Sequence, residues 1–232
     1  MQTLTPHLHS KTPARQGFVL YRPMGGRNAQ LLTLSAPKIC SGTELSSVLA
    51  DQGECFILAP FNPVSPVLSF PIEERTGGEP EALSDLLRER CKELSATFTD
   101  NALKARCESA NARVFPAYSA AFGRFKAALT AGDFEKLVLA RPLFLTLTRP
   151  LWESFAALCE RYPGAFCYLA CLPDTGIFMG ASPERLATCD GVTLETMSLA
   201  GTMPGSAQQN YTWSQKNLRE QRLVTAYIET SK

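Results

Sequence analysis

GAFCYLACL (residues 164–172), GIFMGASPERLATC (176–189) and VTLETMSLAGT (192–202) follow one another with only short breaks, and each is strand-like in composition. Just upstream, EKLVLARPLFLTL (135–147) holds two further strand-like runs around Pro142. A helix is predicted between these groups, starting near Pro150 and continuing through LWESFAALCERY, because proline suits a first helical turn. A last helical pattern runs from about 213 onward. The first half repeats the mixture. GFVLYR (17–22) and QLLTLS (30–35) read as strands flanking a Pro-Met-Gly-Gly turn, residues 43–52 suit a short helix, and ECFILAP (54–60) is a strand. The Pro-rich stretch 60–71 and the polar EERTGGEP (73–80) read as loop. Helices are predicted over 81–98 and 117–131; in the second, Tyr118, Ala121, Phe125 and Leu129 recur at helical spacing and Gly132 supplies the stop. Sequential strands mixed with helices predict an α+β fold with a mostly antiparallel β-sheet core and flanking helices.

The 232 residues are 45% hydrophobic and 19% charged, enough apolar material for a sizeable core. A net charge of +1 gives no reason to expect nucleic acid or an anionic membrane as partner. No apolar run approaches the roughly 20 residues of a spanning helix. Residues 1–15 are polar and lack the apolar core of a secretory signal, so they read as a flexible tail on a cytoplasmic protein. Eight cysteines contain no C-x-x-C pair, and several lie in apolar runs, which predicts buried free thiols. The only histidines are His7 and His9, both in that tail. This argues against Ser-His or Cys-His catalysis and against a histidine-rich metal site, and the chemistry falls to Lys, Arg, Glu, Asp or backbone groups. Ser182 in Gly180-Ala181-Ser182-Pro183-Glu184 has no histidine partner and fails the nucleophile-elbow pattern at its last position. No glycine-rich dinucleotide or Walker-type phosphate loop is present.

Four segments carry candidate chemistry, each with an ordinary reading beside it. In Glu135-Lys136-Leu137-Val138-Leu139-Ala140-Arg141, Lys136 is either a strand-edge lysine reaching solvent or a partly desolvated amine usable as a general base. In Gly180-Ala181-Ser182-Pro183-Glu184, proline bends the strand; Glu184 is either a solvated turn residue or a carboxyl aimed into a cleft. Leu199-Ala200-Gly201-Thr202 is a turn, or a turn whose small residues let backbone N–H groups approach an anion. On the terminal helix, Trp213, Glu220, Val224 and Tyr227 share one face at 100° per residue. If that face is buried, Glu220 must be paired, protonated or bound to metal; if exposed, it needs no partner.

In this order, Lys-x-Val-Leu-Ala-Arg, Gly-Ala-Ser-Pro-Glu, Leu-Ala-Gly-Thr and Ser-x-Lys-x-x-x-Glu resemble the chorismate-binding enzymes, which include isochorismate synthase, salicylate synthase and component I of anthranilate and aminodeoxychorismate synthases. The resemblance is strong over 117–232, implying the catalytic region there; residues 16–116 match in general character, as an N-terminal part of the same fold. It implies an anthranilate synthase component I-like sheet. At the position of Lys136, isochorismate and salicylate synthases carry lysine and ammonia users typically carry glutamine. Ala200 stands where aminodeoxychorismate synthase tends to carry lysine. The implied reaction therefore adds water at C2 of chorismate and expels the C4 hydroxyl, giving isochorismate for menaquinone or siderophore biosynthesis. Salicylate synthase and an inactive chorismate-binding remnant are the alternatives.

By the same resemblance, Lys136 activates water, Glu184 protonates the leaving hydroxyl, Ala200, Gly201 and Thr202 line the substrate pocket, and Glu220 binds Mg²⁺, which grips the ring carboxylate. No glutaminase subunit is implied. Asn217 stands where many relatives have an acidic residue and Gln221 where many have histidine, so the surroundings of the metal ligand are expected to differ. Relatives continue well past the Glu220 helix. A truncated chain, inactive by itself and with apolar surface left exposed, is the corresponding expectation.

Overall fold

A computed structural model describes residues 16–62, 64–79, 83–95, 101–203 and 212–230; the tail predicted over 1–15 lies outside the described residues. The chain divides into two compact units, one holding the described residues up to 91 together with 151–183, the other holding 92–150 and 184 onward.

The first unit contains strands β1 (Gly17–Arg22), β2 (Ala29–Leu34) and β3 (Lys38–Cys40), helix α1 (Leu45–Gln52), strands β4 (Cys55–Leu58) and β5 (Val67–Gly78) and most of helix α2 (Ser84–Ser95). Helix α4 (Leu151–Arg161) and strands β6 (Phe166–Leu172) and β7 (Gly176–Ser182) complete it; α3 (Asn101–Ala131) belongs to the other unit. Every strand pairing is antiparallel, and the order across the sheet is β3-β5-β2-β1-β6-β7, with β4 also on β5. This is the expected α+β architecture.

Strand β1 sits in the middle of the sheet and is buried along nearly its whole length, so its apolar run is continuous. Val19 packs with Leu32, Leu34, Phe70, Ala170 and Leu172 on one face. Residues of the opposite parity, Phe18, Leu20, Leu169 and Cys171, are buried too, with Leu87 and Cys91 of α2 and Leu151, Phe155 and Cys159 of α4. Arg22 is also buried, its guanidinium donating to the carbonyls of Cys159, Tyr162 and Ala165 at the end of α4. In the hairpin β6–β7, Tyr168 lies opposite Gly180, and a Cβ on Gly180 would stand 2.9 Å from the Tyr168 ring. The glycine that opens the Gly-Ala-Ser-Pro-Glu motif therefore makes room for a cross-strand aromatic ring.

Two sequence expectations fail in this unit. The stretch read as loop over 60–80 contains β5, the longest strand. Its proline and glycines carry loop signals, but Pro71 lies one residue ahead of the β2 ladder, which starts at Ile72 opposite Leu34, and it pairs with Cys55 of β4, so its missing N–H costs no bond of the β2 ladder. The strand reading of 176–189 is also too long: β7 stops at Ser182, ahead of Pro183.

The second unit is built around α3 (Asn101–Ala131) and α5 (Gln215–Thr230), with a short hairpin β8 (Thr188–Cys189) and β9 (Leu194–Glu195). Helix α3 begins 16 residues before the predicted start at 117 and runs through Pro116. Residues 104–115 are rich in Ala, Lys, Arg and Glu, and the break sits on an exposed face where water can take the Ala112 carbonyl. It ends as expected at Gly132, with φ of 81°. Residues 135–147 form no strand: among the described residues no partner strand lies beside them, and β-propensity without a partner does not make a ladder. The side chain of Asn111 partly replaces one, accepting from Phe144 N at 2.8 Å and donating to Phe144 O at 2.7 Å. Residues 192–202 likewise shrink to β9. Val138, Leu145, Leu186 and Val192 are consequently exposed.

Candidate active site

All the residues singled out from the sequence, Lys136, Glu184, Ala200, Gly201, Thr202 and Glu220, lie in the second unit. Helix α5 brings two of them, Lys136 and Glu220, into contact. Lys136 Nζ approaches Glu220 Oε1 at 3.2 Å, and Lys216 Nζ stands 3.8 Å from Glu220 Oε2, one helical turn earlier. Both partners of the first pair are largely covered, with side chains 30% and 26% exposed, so it is screened less than a surface pair. The neighbouring residues repeat the contact with charges exchanged: Arg219 donates to Glu135 at 2.8 Å. Residues 135–136 are thus pinned to α5 by two ion pairs although they belong to no regular element.

The Leu-Ala-Gly-Thr segment is held on the same helix. Gly201 lies against Asn217 and Trp213, where an added Cβ would stand 3.1 Å from Asn217 Cγ. Three residues earlier, Ser198 receives two hydrogen bonds from Gln221 Nε2 and bonds Thr225. Ala200 is half-buried and Thr202 exposed. Glu184 is exposed, two residues past the end of β7.

The inner stripe of α5 is not quite the one read from the sequence. Asn217, Glu220, Gln221, Val224 and Thr225 are half-buried, while Tyr227 is 73% exposed. The face is marked by polar side chains, Asn217, Gln221 and Thr225, rather than by apolarity. Asn217 and Gln221 stand out in the sequence as departures from the family pattern and Lys216 as part of the Ser-x-Lys-x-x-x-Glu motif, but Ser198 and Thr225 carry no signal. For magnesium the donor chemistry is suitable but sparse. Glu220 supplies hard carboxylate oxygens, and no group of three or more His, Cys, Asp or Glu gathers around any point among the described residues. One protein carboxylate completed by water and a substrate oxygen is within magnesium's habits, so the residues present fit a metal shared with a bound anion.

A family model described as chorismate binding enzyme matches residues 72–228, more than half of the chain. The chain belongs to the chorismate-binding enzyme family. The matched span begins within β5 and ends within α5, enclosing every residue of the site. A member of this family uses chorismate, a small dicarboxylate, and the positive excess of Lys136, Lys216 and Arg219 over Glu135 and Glu220 suits an anionic ligand. Comparison with curated proteins and with solved structures gave no match. Among the described residues no helix is long and apolar enough to cross a membrane.

Proposed function

We propose that this chorismate-binding enzyme is an isochorismate synthase, adding water at C2 of chorismate and expelling the C4 hydroxyl. The observation that carries the reading is the 3.2 Å contact between Lys136 and Glu220, the residues to which the family pattern gives the base and the metal carboxylate. Lys136 takes a proton from the attacking water as its oxygen bonds to C2, and Glu184 gives a proton to the departing C4 oxygen, so one water enters and one leaves. Ala200, Gly201 and Thr202 line the substrate pocket. Glu220 holds Mg²⁺, which when bound neutralises the ring carboxylate of chorismate. Glu220 would hold the metal through its carboxylate oxygens, and the Lys136 amine, 3.2 Å from Oε1, would stay close enough to act on the same bound anion. No glutaminase partner is needed, since water and not ammonia is the nucleophile. The location we propose is cytoplasmic, and the product feeds menaquinone or siderophore biosynthesis.

Calorimetric titration with chorismate and Mg²⁺ tests this reading. Wild-type protein is expected to bind chorismate only weakly without the metal, and Glu220→Gln is expected to abolish the metal's effect. Chorismate binding that ignores both Mg²⁺ and Glu220→Gln would sink the metal role. Formation of salicylate as the first product would move the assignment to salicylate synthase.

A further inference from the structure

Two points, on α5 and just ahead of it, hold the segment that carries Ala200, Gly201 and Thr202. One is the close approach of Gly201 to Asn217 and Trp213. The other is Gln221, whose Nε2 donates to Ser198 O at 2.7 Å and to Ser198 Oγ at 2.8 Å. A backbone carbonyl only accepts, so the amide nitrogen must face Ser198 and both of its protons are used there. The remaining proton order follows. Thr225 Oγ1 donates to the carbonyl of Gln221 at 3.1 Å, which leaves Ser198 Oγ–H to donate to Thr225 Oγ1 at 2.8 Å. The hydrogen bonds close a ring that begins and ends on Gln221, and all of it is part-buried.

We infer that Gln221 is a positioning residue for the substrate-binding turn, fixing the register of residues 198–202 on α5 one residue away from Glu220. The inference rests on the site assignment proposed above. The requirement is specific. A glutamate has the same length but no proton to donate, and it sets a carboxylate against the lone pairs of the Ser198 carbonyl. An alanine leaves that carbonyl without its side-chain partner. A histidine keeps a single ring N–H within reach. No member of the ring titrates near neutral pH, so the register it sets does not change with pH there. The short spacing between Gln221 and Glu220 means that a slip of 198–202 along the helix moves the pocket lining relative to the metal carboxylate.

Amide hydrogen exchange and chorismate calorimetry with Mg²⁺ on the same proteins decide the matter. In Gln221→Glu, exchange across 198–202 is expected to rise at least about tenfold while α3 keeps its wild-type rates, and chorismate affinity to fall by about tenfold or more. Gln221→His should recover part of both losses. Ser198→Ala, which keeps the carbonyl bond, should show a smaller loss of the same kind and serves as the reading if Gln221→Glu does not fold. Unchanged exchange at 198–202 in Gln221→Glu and Ser198→Ala overturns the inference. So does loosened exchange with unaltered chorismate affinity, which would make Gln221 a packing residue only. A wild-type protein that binds no chorismate, while Gln221→Glu still loosens 198–202, upholds the anchoring and refutes the proposed function.

Discussion

Replacing Arg22 with methionine is expected to destabilise the first unit by about 3 kcal/mol. Arg22 is 6% exposed, and its guanidinium donates to the carbonyls of Cys159 at 2.8 Å, Tyr162 at 2.6 Å and Ala165 at 3.0 Å, with Cys167 Sγ a further 3.4 Å contact. These carbonyls end α4 and its following turn, where the helix dipole is negative and the last C=O groups lack intrahelical partners. Hydrogen bonds from a charged donor contribute about 1.5–3 kcal/mol each, so three contribute roughly 4–9 kcal/mol before desolvation. Burying the cation costs several kcal/mol, and its Nε is buried with no partner, which adds to that cost. Methionine fills most of the volume and removes the desolvation cost, but it leaves the Cys159 and Ala165 carbonyls without this donor at about 1–3 kcal/mol each, less where water reaches them, while Tyr162 O keeps the Ala165 N–H at 3.1 Å. The balance is a loss of about 3 kcal/mol, equal to a fall of roughly 6–12 °C in the melting temperature. Urea unfolding followed by far-UV circular dichroism measures it. Arg22→Lys should recover little, because a single ammonium cannot reach three separated carbonyls. A loss below about 1 kcal/mol for Arg22→Met would refute the reasoning and mean that desolvation cancels the hydrogen bonds.

Burial, aided by the neighbouring Cys167 charge, pushes the Cys159 thiol up to about 12 from an ordinary 9.0. Above pH 9 the unfolded chain releases this proton while the folded chain keeps it, so stability present below pH 9 is lost as pH rises from 9 to 12. Cys159→Ala should flatten that fall in a pH series of urea melts. Burial also predicts that iodoacetamide at pH 8 labels exposed Cys189 first and spares Cys91, Cys159 and Cys171, as peptide mapping would show. Gly180→Ala forces a methyl against the Tyr168 ring and should destabilise by about 1–3 kcal/mol; a double variant with Tyr168→Ala should lose less than the sum of the two.

The residue patterns made some parts of this molecule plain and hid others for physical reasons. Strand β1 follows the run GFVLYR end to end, because a central strand buried on both faces has to be apolar throughout. Strand β5 is hidden because Pro71 and Gly77-Gly78 carry loop signals, yet Pro71 falls just before the β2 ladder and the glycines pair with Gln30 and Ala29 of β2, partners that the composition of the stretch cannot report. The segment 135–147 carries a strand signal, yet a strand also needs a neighbour, which the composition of one segment cannot report. In the candidate site, motif order points to Lys136, Glu184 and Glu220; the fold brings Lys136 against Glu220, while Glu184 is exposed. The anchoring ring of Gln221, Ser198 and Thr225 was not, since serine, threonine and glutamine on a half-buried helix face look like ordinary surface residues until their partners are known.

The most direct test of the central claim is product analysis of the full-length protein given chorismate and Mg²⁺, with wild type beside Lys136→Gln, the products separated by chromatography. The account predicts isochorismate from the wild type and at least about a hundredfold less from Lys136→Gln, the range expected for loss of a general base. Anthranilate as product, or undiminished isochorismate from Lys136→Gln, would contradict it.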